Sequence, residues 1–87
     1  MPSISKFGGM TIYIYFDDHE PPHFHVRGND KTRLNIITGE YLKGDKLLPR
    51  NKERDIHIWL EKNRNDIMKP WEDCRRGVVP QSIPPLY

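Results

Sequence analysis

The sequence predicts an α+β fold: a small antiparallel sheet of three to four strands, then one or two C-terminal helices packed on one face of it, then an extended Pro-rich tail. Three observations carry the prediction. Apolar and polar residues alternate between positions 10 and 38, the period of a half-buried strand. Apolar residues then recur every three or four positions between 56 and 67, the period of a helix with one buried stripe. Near the end, Pro80, Pro84 and Pro85 stand among Val, Ile, Leu and Tyr, a mixture too apolar for a solvated terminus.

Residues 1–9 read as a lead-in holding Pro2 and the pair Gly8-Gly9. The first strand is expected at 10–17, with Met10, Ile12, Ile14 and Phe16 on one face and Thr11, Tyr13, Tyr15 and Asp17 on the other. Pro21 and Pro22 remove two amide donors in succession and break it. A second strand at 23–28 places Phe24 and Val26 opposite His23, His25 and Arg27, and Asn29-Asp30 supplies hairpin chemistry. A third at 32–38 carries Leu34 and Ile36, and Gly39-Glu40 turns the chain into a short fourth near Tyr41-Leu42. Pro49 fits a helix entrance, after which Ile56, Trp59, Leu60, Asn63 and Ile67 form the stripe. Asn63 and Asn65 suit a cap better than a helix middle, so a break is expected at 63–66. A second short helix then carries Met68, Trp71 and Cys74, at the expense of a backbone hydrogen bond at Pro70, and Gly77 ends it.

Composition narrows the class. Eighty-seven residues make one domain (1–9 lead-in, 10–48 sheet, 49–76 helical, 77–87 tail), with too little chain for a second core. Lys and Arg total 14 against 12 Asp and Glu, a net charge of +2, which excludes a strongly basic coat but permits a local patch. Cys74 is the only cysteine, so neither an internal disulfide nor a cysteine-based zinc site is open to the chain. The N-terminal segment lacks a signal-like apolar run and no stretch approaches a membrane span, so a soluble cytoplasmic protein is expected.

If helices cover Ile12, Ile14, Phe16, Phe24, Val26, Leu34 and Ile36, then Tyr13, Tyr15, His23, His25, Arg27, Arg33 and Asn35 share the opposite face. Aromatic rings, imidazoles and guanidinium groups together are what stacks bases and neutralises phosphates of single-stranded RNA. An ordinary solvated sheet face would also accept these residues. His19, His23 and His25 admit three readings. Two imidazoles at i and i+2, about 6–7 Å apart at Cα, can share a metal ion, with His19, Asp17 or Asp18 as a third ligand. They can equally act as general base and acid on RNA, with Arg27 holding the phosphate, Tyr13 and Tyr15 stacking bases and Arg33 adding charge. Or they can simply bond carbonyls of the Pro-Pro loop. Asp17-Asp18 can orient an imidazole, bind a cation or cap the turn. His57 is expected to be exposed, Trp59, Trp71 and Cys74 to pack, and Arg50, Lys52, Arg54, Lys62, Arg64 and Lys69 to form a solvated helix face or a rim for an acidic partner.

The opening Met1-Pro2-Ser3-Ile4-Ser5-Lys6-Phe7, the run Tyr15-Phe16-Asp17-Asp18-His19-Glu20-Pro21-Pro22-His23-Phe24-His25-Val26, and Thr38-Gly39-Glu40 with Leu48-Pro49 resemble the small bacterial family catalogued as domain of unknown function 4160. Trp59, Trp71 and the ending Ile83-Pro84-Pro85-Leu86 extend the resemblance over the whole chain; Pro70 departs from it by interrupting a helix. Members are commonly encoded beside a protein of domain of unknown function 2442, and that pairing implies a toxin–antitoxin module with this chain as the toxin. The resemblance supplies no catalytic residues.

The expectation is therefore a toxin acting on RNA as a metal-independent endoribonuclease without a cofactor. His23, His25 and Arg27 would be catalytic, Tyr13, Tyr15 and Arg33 would bind RNA, and Asp17, Asp18 and His19 would orient the loop. The expected partners are RNA and a cognate antitoxin, with no membrane. The alternatives are a non-catalytic protein-binding subunit or antitoxin of such a pair, or a small metal-binding protein holding zinc or another divalent transition metal through His19, His23 and His25.

Overall fold

A computed structural model describes residues 2–87. Four strands, β1 (Ser3–Phe7), β2 (Met10–Tyr13), β3 (His23–Arg27) and β4 (Lys31–Asn35), form an antiparallel meander in the order β1-β2-β3-β4. Two helices follow, α1 (Arg50–Lys62) and α2 (Met68–Arg75). The α+β arrangement is the one expected.

The lead-in is a strand. Gly8 and Gly9 both take positive φ, 58° and 74°, as the tight primed hairpin turns require, so this pair joins two strands. Ile4 and Phe7 thereby enter the core. The expected strand 10–17 stops at Tyr13 because the Tyr15 amide donates to the Asp18 carboxylate, 3.1 Å away, instead of to a neighbouring strand. Strand phase is lost there, and Phe16, expected inside, is 42% exposed. β4 likewise ends at Asn35, whose side-chain oxygen accepts the Ile37 and Thr38 amides and turns the chain. The fourth strand expected near Tyr41-Leu42 reduces to a single bridge between Leu34 and Tyr41.

The inner face presents Ile12, Phe24, Val26 and Leu34 to Ile56, Trp59 and Leu60 of α1. The Trp59 ring lies 5.7 Å from Phe7 and 5.6 Å from Phe24, and its indole N–H donates to the Pro84 carbonyl. Residues 78–87 contain no helix or strand, yet the Ile83 amide bonds the Ile4 carbonyl at 2.7 Å and the Tyr87 hydroxyl donates to Asp55. The tail is therefore tied to β1 and α1. The helical break falls at 63–67, where the Asn63 side chain bonds the Trp59 carbonyl. Pro70 sits in the first turn of α2, where an amide has no intrahelical acceptor, so the expected loss of a hydrogen bond does not arise.

Arg64, expected on a solvated face, reaches back to the Ile36 and Ile37 carbonyls and joins the end of α1 to the end of β4. The Tyr41 hydroxyl donates to Glu53 and accepts the Leu48 amide; burial and the Glu53 carboxylate push its pKa up to about 12, so it stays a neutral brace. Cys74 is buried, and burial raises its thiol pKa, consistent with the packing role expected.

Candidate functional site

β3 is an interior strand of the sheet, and its alternation divides the chemistry. Phe24 and Val26 go to the core, while His25 and Arg27 lie on the outer face. Strand register sets Tyr13, His25 and Arg33 directly opposite one another across three strands, and Thr11, Arg27 and Lys31 form the next row. His23 pairs with Asn35 at the strand's start, but it is only 5% exposed because the Trp71 ring of α2 packs 5.3 Å from it. Both imidazoles are expected on the outer face; His25 lies there with its side chain only 15% exposed, and His23 is covered by α2.

Asp18 organises this end of the sheet. Its carboxylate accepts the Tyr15 amide, which fixes it just beyond β2, and it points at both imidazoles. His25 Nε2 lies 3.1 Å from Oδ2 and 3.3 Å from Oδ1 of Asp18, and His23 Nε2 lies 3.6 Å from Oδ1. The three side chains each place a ligating atom within 4.8 Å of the other two. His23 Nδ1 donates to the Pro21 carbonyl at 2.7 Å; a carbonyl can only accept, so that nitrogen carries the proton. In the neutral ring, Nε2 is then a bare lone pair facing a carboxylate.

His25 stands between Tyr15, whose ring centroid is 4.2 Å away, and His23 at 5.2 Å. Burial is the main cause holding its pKa below the ordinary histidine value; the Asp18 carboxylate opposes this, and His23 and Arg33 add to it. The ring also forms part of a shallow depression of about 180 Å³, whose other walls include Arg27, Lys31, Thr32, Arg33 and Asp45. Arg27 lies over the Tyr15 ring at 5.8 Å, and Tyr13 and Tyr15 stack at 6.4 Å. Among the described residues neither Arg27 nor Lys31 has an acidic partner. Arg33 does: its guanidinium grips Asp45 with two hydrogen bonds of 2.8 and 3.0 Å.

The structure thus gathers Tyr13, Tyr15, Asp18, His23, His25, Arg27 and Arg33 into one region. It does not bring in His19, which is exposed and outside the three-ligand group; Asp18 takes the third place instead. Asp17 is exposed as well. The two imidazoles converge on one carboxylate, a different arrangement from a base and an acid facing each other across a substrate. Sequence reasoning missed Lys31 and Asp45. Beginning the third strand at Lys31 rather than Thr32 would have set Lys31 opposite Arg27, whereas nothing local marks Asp45, twelve positions from its partner.

Comparison with known proteins places a family model on most of the chain. The model of the family described as domain of unknown function (DUF4160) covers residues 9–72, which includes the whole Asp18–His25 segment, both central strands and α1. Neither a curated protein nor a solved structure matches the chain. No helix among the described residues is long and apolar enough to cross a membrane.

Proposed function

The chain belongs to the family of domain of unknown function (DUF4160), and from that premise, which carries no activity of its own, we propose that it is the toxin of a bacterial toxin–antitoxin pair and cleaves single-stranded RNA on the outer face of its sheet. The observation that carries the reading is the cationic depression with His25 in its wall. Arg27 and Lys31, without a carboxylate partner among the described residues, would neutralise a phosphate there. Tyr13 and Tyr15, both partly exposed, would stack an adjoining base, an interaction worth about 1–3 kcal/mol per base. Asp18, His23 and His25 form the reactive centre beside that phosphate. A flat aromatic and basic surface favours an unpaired strand, whose bases can lie on it, over a duplex. The antitoxin would inhibit by covering this face.

The test is expression of wild type, His25→Ala and Arg27→Gln, with growth and RNA integrity followed together. Wild type should arrest growth and fragment RNA, and both variants should lose most of that effect while keeping the thermal unfolding midpoint. Two fully toxic variants overturn the reading. So does purified wild type that leaves RNA intact both with and without divalent metal. If the variants lose stability and antitoxin affinity together, the non-catalytic subunit is the better description.

A further inference from the structure

We propose that Asp18, His23 and His25 bind one divalent transition-metal ion, zinc being the best fit, with a fourth position left for water or a phosphate oxygen. The inference concerns the residues of the reactive centre but does not depend on the RNA reading, since metal uptake is measured with no RNA present.

Distances come first. Zinc holds imidazole nitrogen at about 2.0–2.1 Å and carboxylate oxygen at about 2.0–2.2 Å, so neighbouring ligand atoms of a tetrahedral site stand about 3.4 Å apart. Measured to the one oxygen Oδ1 of Asp18, the separations from His25 Nε2 and His23 Nε2 are 3.3 and 3.6 Å and bracket that value. The two imidazole nitrogens lie within 4.8 Å of each other, so an ion would draw the two rings together as it bound.

The second line of support is the state of His23. Its side chain is only 7% exposed, its Nδ1–H is committed to Pro21, and its Nε2 has no hydrogen-bond partner. His23 Nε2 and an Asp18 oxygen thus face each other 3.6 Å apart in a largely covered site, where one ion could take an electron pair from each. Donation of the remote ring N–H to a backbone carbonyl is also how metal-binding histidines are usually oriented. The third ligand is held in the same manner, through the Tyr15 amide on the Asp18 carboxylate.

The donor set narrows the metal to the divalent transition series, Fe(II) included. Two imidazoles and one carboxylate suit zinc and its neighbours, whereas calcium and magnesium ask for oxygen ligands alone. Trp71 and Tyr15 wall the imidazoles with aromatic rings, which limits competing water. His25 would bind through Nε2 as its other neutral tautomer, the proton now directed at Asp18 being carried on Nδ1 instead.

Calorimetric titration of zinc chloride into tag-free protein, after chelator and dialysis, tests the proposal. Wild type should bind one equivalent, and cobalt(II) should give the visible absorption bands of a tetrahedral site. Asp18→Asn and His23→Gln should each weaken zinc at least tenfold, while His19→Ala and His57→Ala bind as wild type. Circular dichroism confirms that each variant is folded. No saturable uptake overturns the proposal, as does uptake that survives Asp18→Asn and falls with His19→Ala. A protein that binds zinc as described yet never cleaves RNA refutes the RNA reading and leaves the metal site standing.

Discussion

Two carboxylates on the outer face of the sheet have neighbouring partners and opposite characters. Asp45 meets Arg33 through two parallel hydrogen bonds, a permanent cation in a fork that matches the carboxylate, and nothing is left over. Asp18 meets His23 and His25, the first across 3.6 Å without a hydrogen bond, the second through a ring held below its ordinary pKa mainly by burial. Arg33 and His25 are direct cross-strand neighbours, so the same stretch of sheet holds one closed ion pair and one unsaturated group. A saturated pair braces a loop. An unsaturated one with an open depression beside it is where a cation or a phosphate can arrive.

The sharpest way to break this contrast is to neutralise each carboxylate without changing its shape. Asp18→Asn keeps an acceptor for the Tyr15 amide but loses the charge between the imidazoles, so RNA cleavage should drop at least a hundredfold. Asp45→Asn should leave it within a few fold, measured on purified proteins at equal concentration. Equal losses would erase the distinction. The next effect in size concerns packing. His23→Ala removes a ring buried against Trp71 and should cost about 1–3 kcal/mol by denaturant unfolding, whereas His23→Gln, closer in volume, should recover much of it. A smaller effect concerns the depression: Arg27→Gln and Lys31→Gln should each weaken single-stranded RNA binding a few fold and lower the slope of log affinity against log salt by about 0.7. An unchanged slope would mean that neither side chain meets a phosphate.

The sequence made one side of this comparison legible and hid the other. Period-two alternation assigns Tyr13, His25 and Arg27 to a common face once β3 is recognised, and the same count buries Phe24 and Val26. Helix period, Pro49 and Asn63 place α1 and the break after it. Phe16 defeats the count because a side-chain carboxylate three residues ahead captures the Tyr15 amide and ends the strand early. β1 escapes notice because a Gly-Gly pair after a short segment reads equally as the end of a lead-in; its positive φ angles belong to a hairpin. The choice of Asp18 over His19 turns on loop geometry. Both lie within seven residues of His25, and only the backbone path through 17–22 decides which one faces the imidazoles. Asp45 approaches Arg33 from a loop with no periodicity to read.

The smallest expected effect tests whether Asp45 is the closed member of the pair. Arg33 holds the Asp45 carboxyl below the usual carboxylate range, mainly through their hydrogen bonds. A carboxyl whose folded pKa is depressed contributes stability that is complete above its unfolded value, about 3.9, and disappears as pH falls through the lower folded value. Arg33 remains 40% exposed, so solvent screens the pair and the contribution should not exceed about 1 kcal/mol. Thermal unfolding at a series of pH values should therefore show wild type losing a small increment below about pH 4 that Asp45→Asn, lower at neutral pH, does not lose. The two curves should converge toward the acid end. Parallel curves would mean that the ion pair gives the fold nothing measurable, and that Asp45, like Asp18, stands on this face for some purpose other than bracing it.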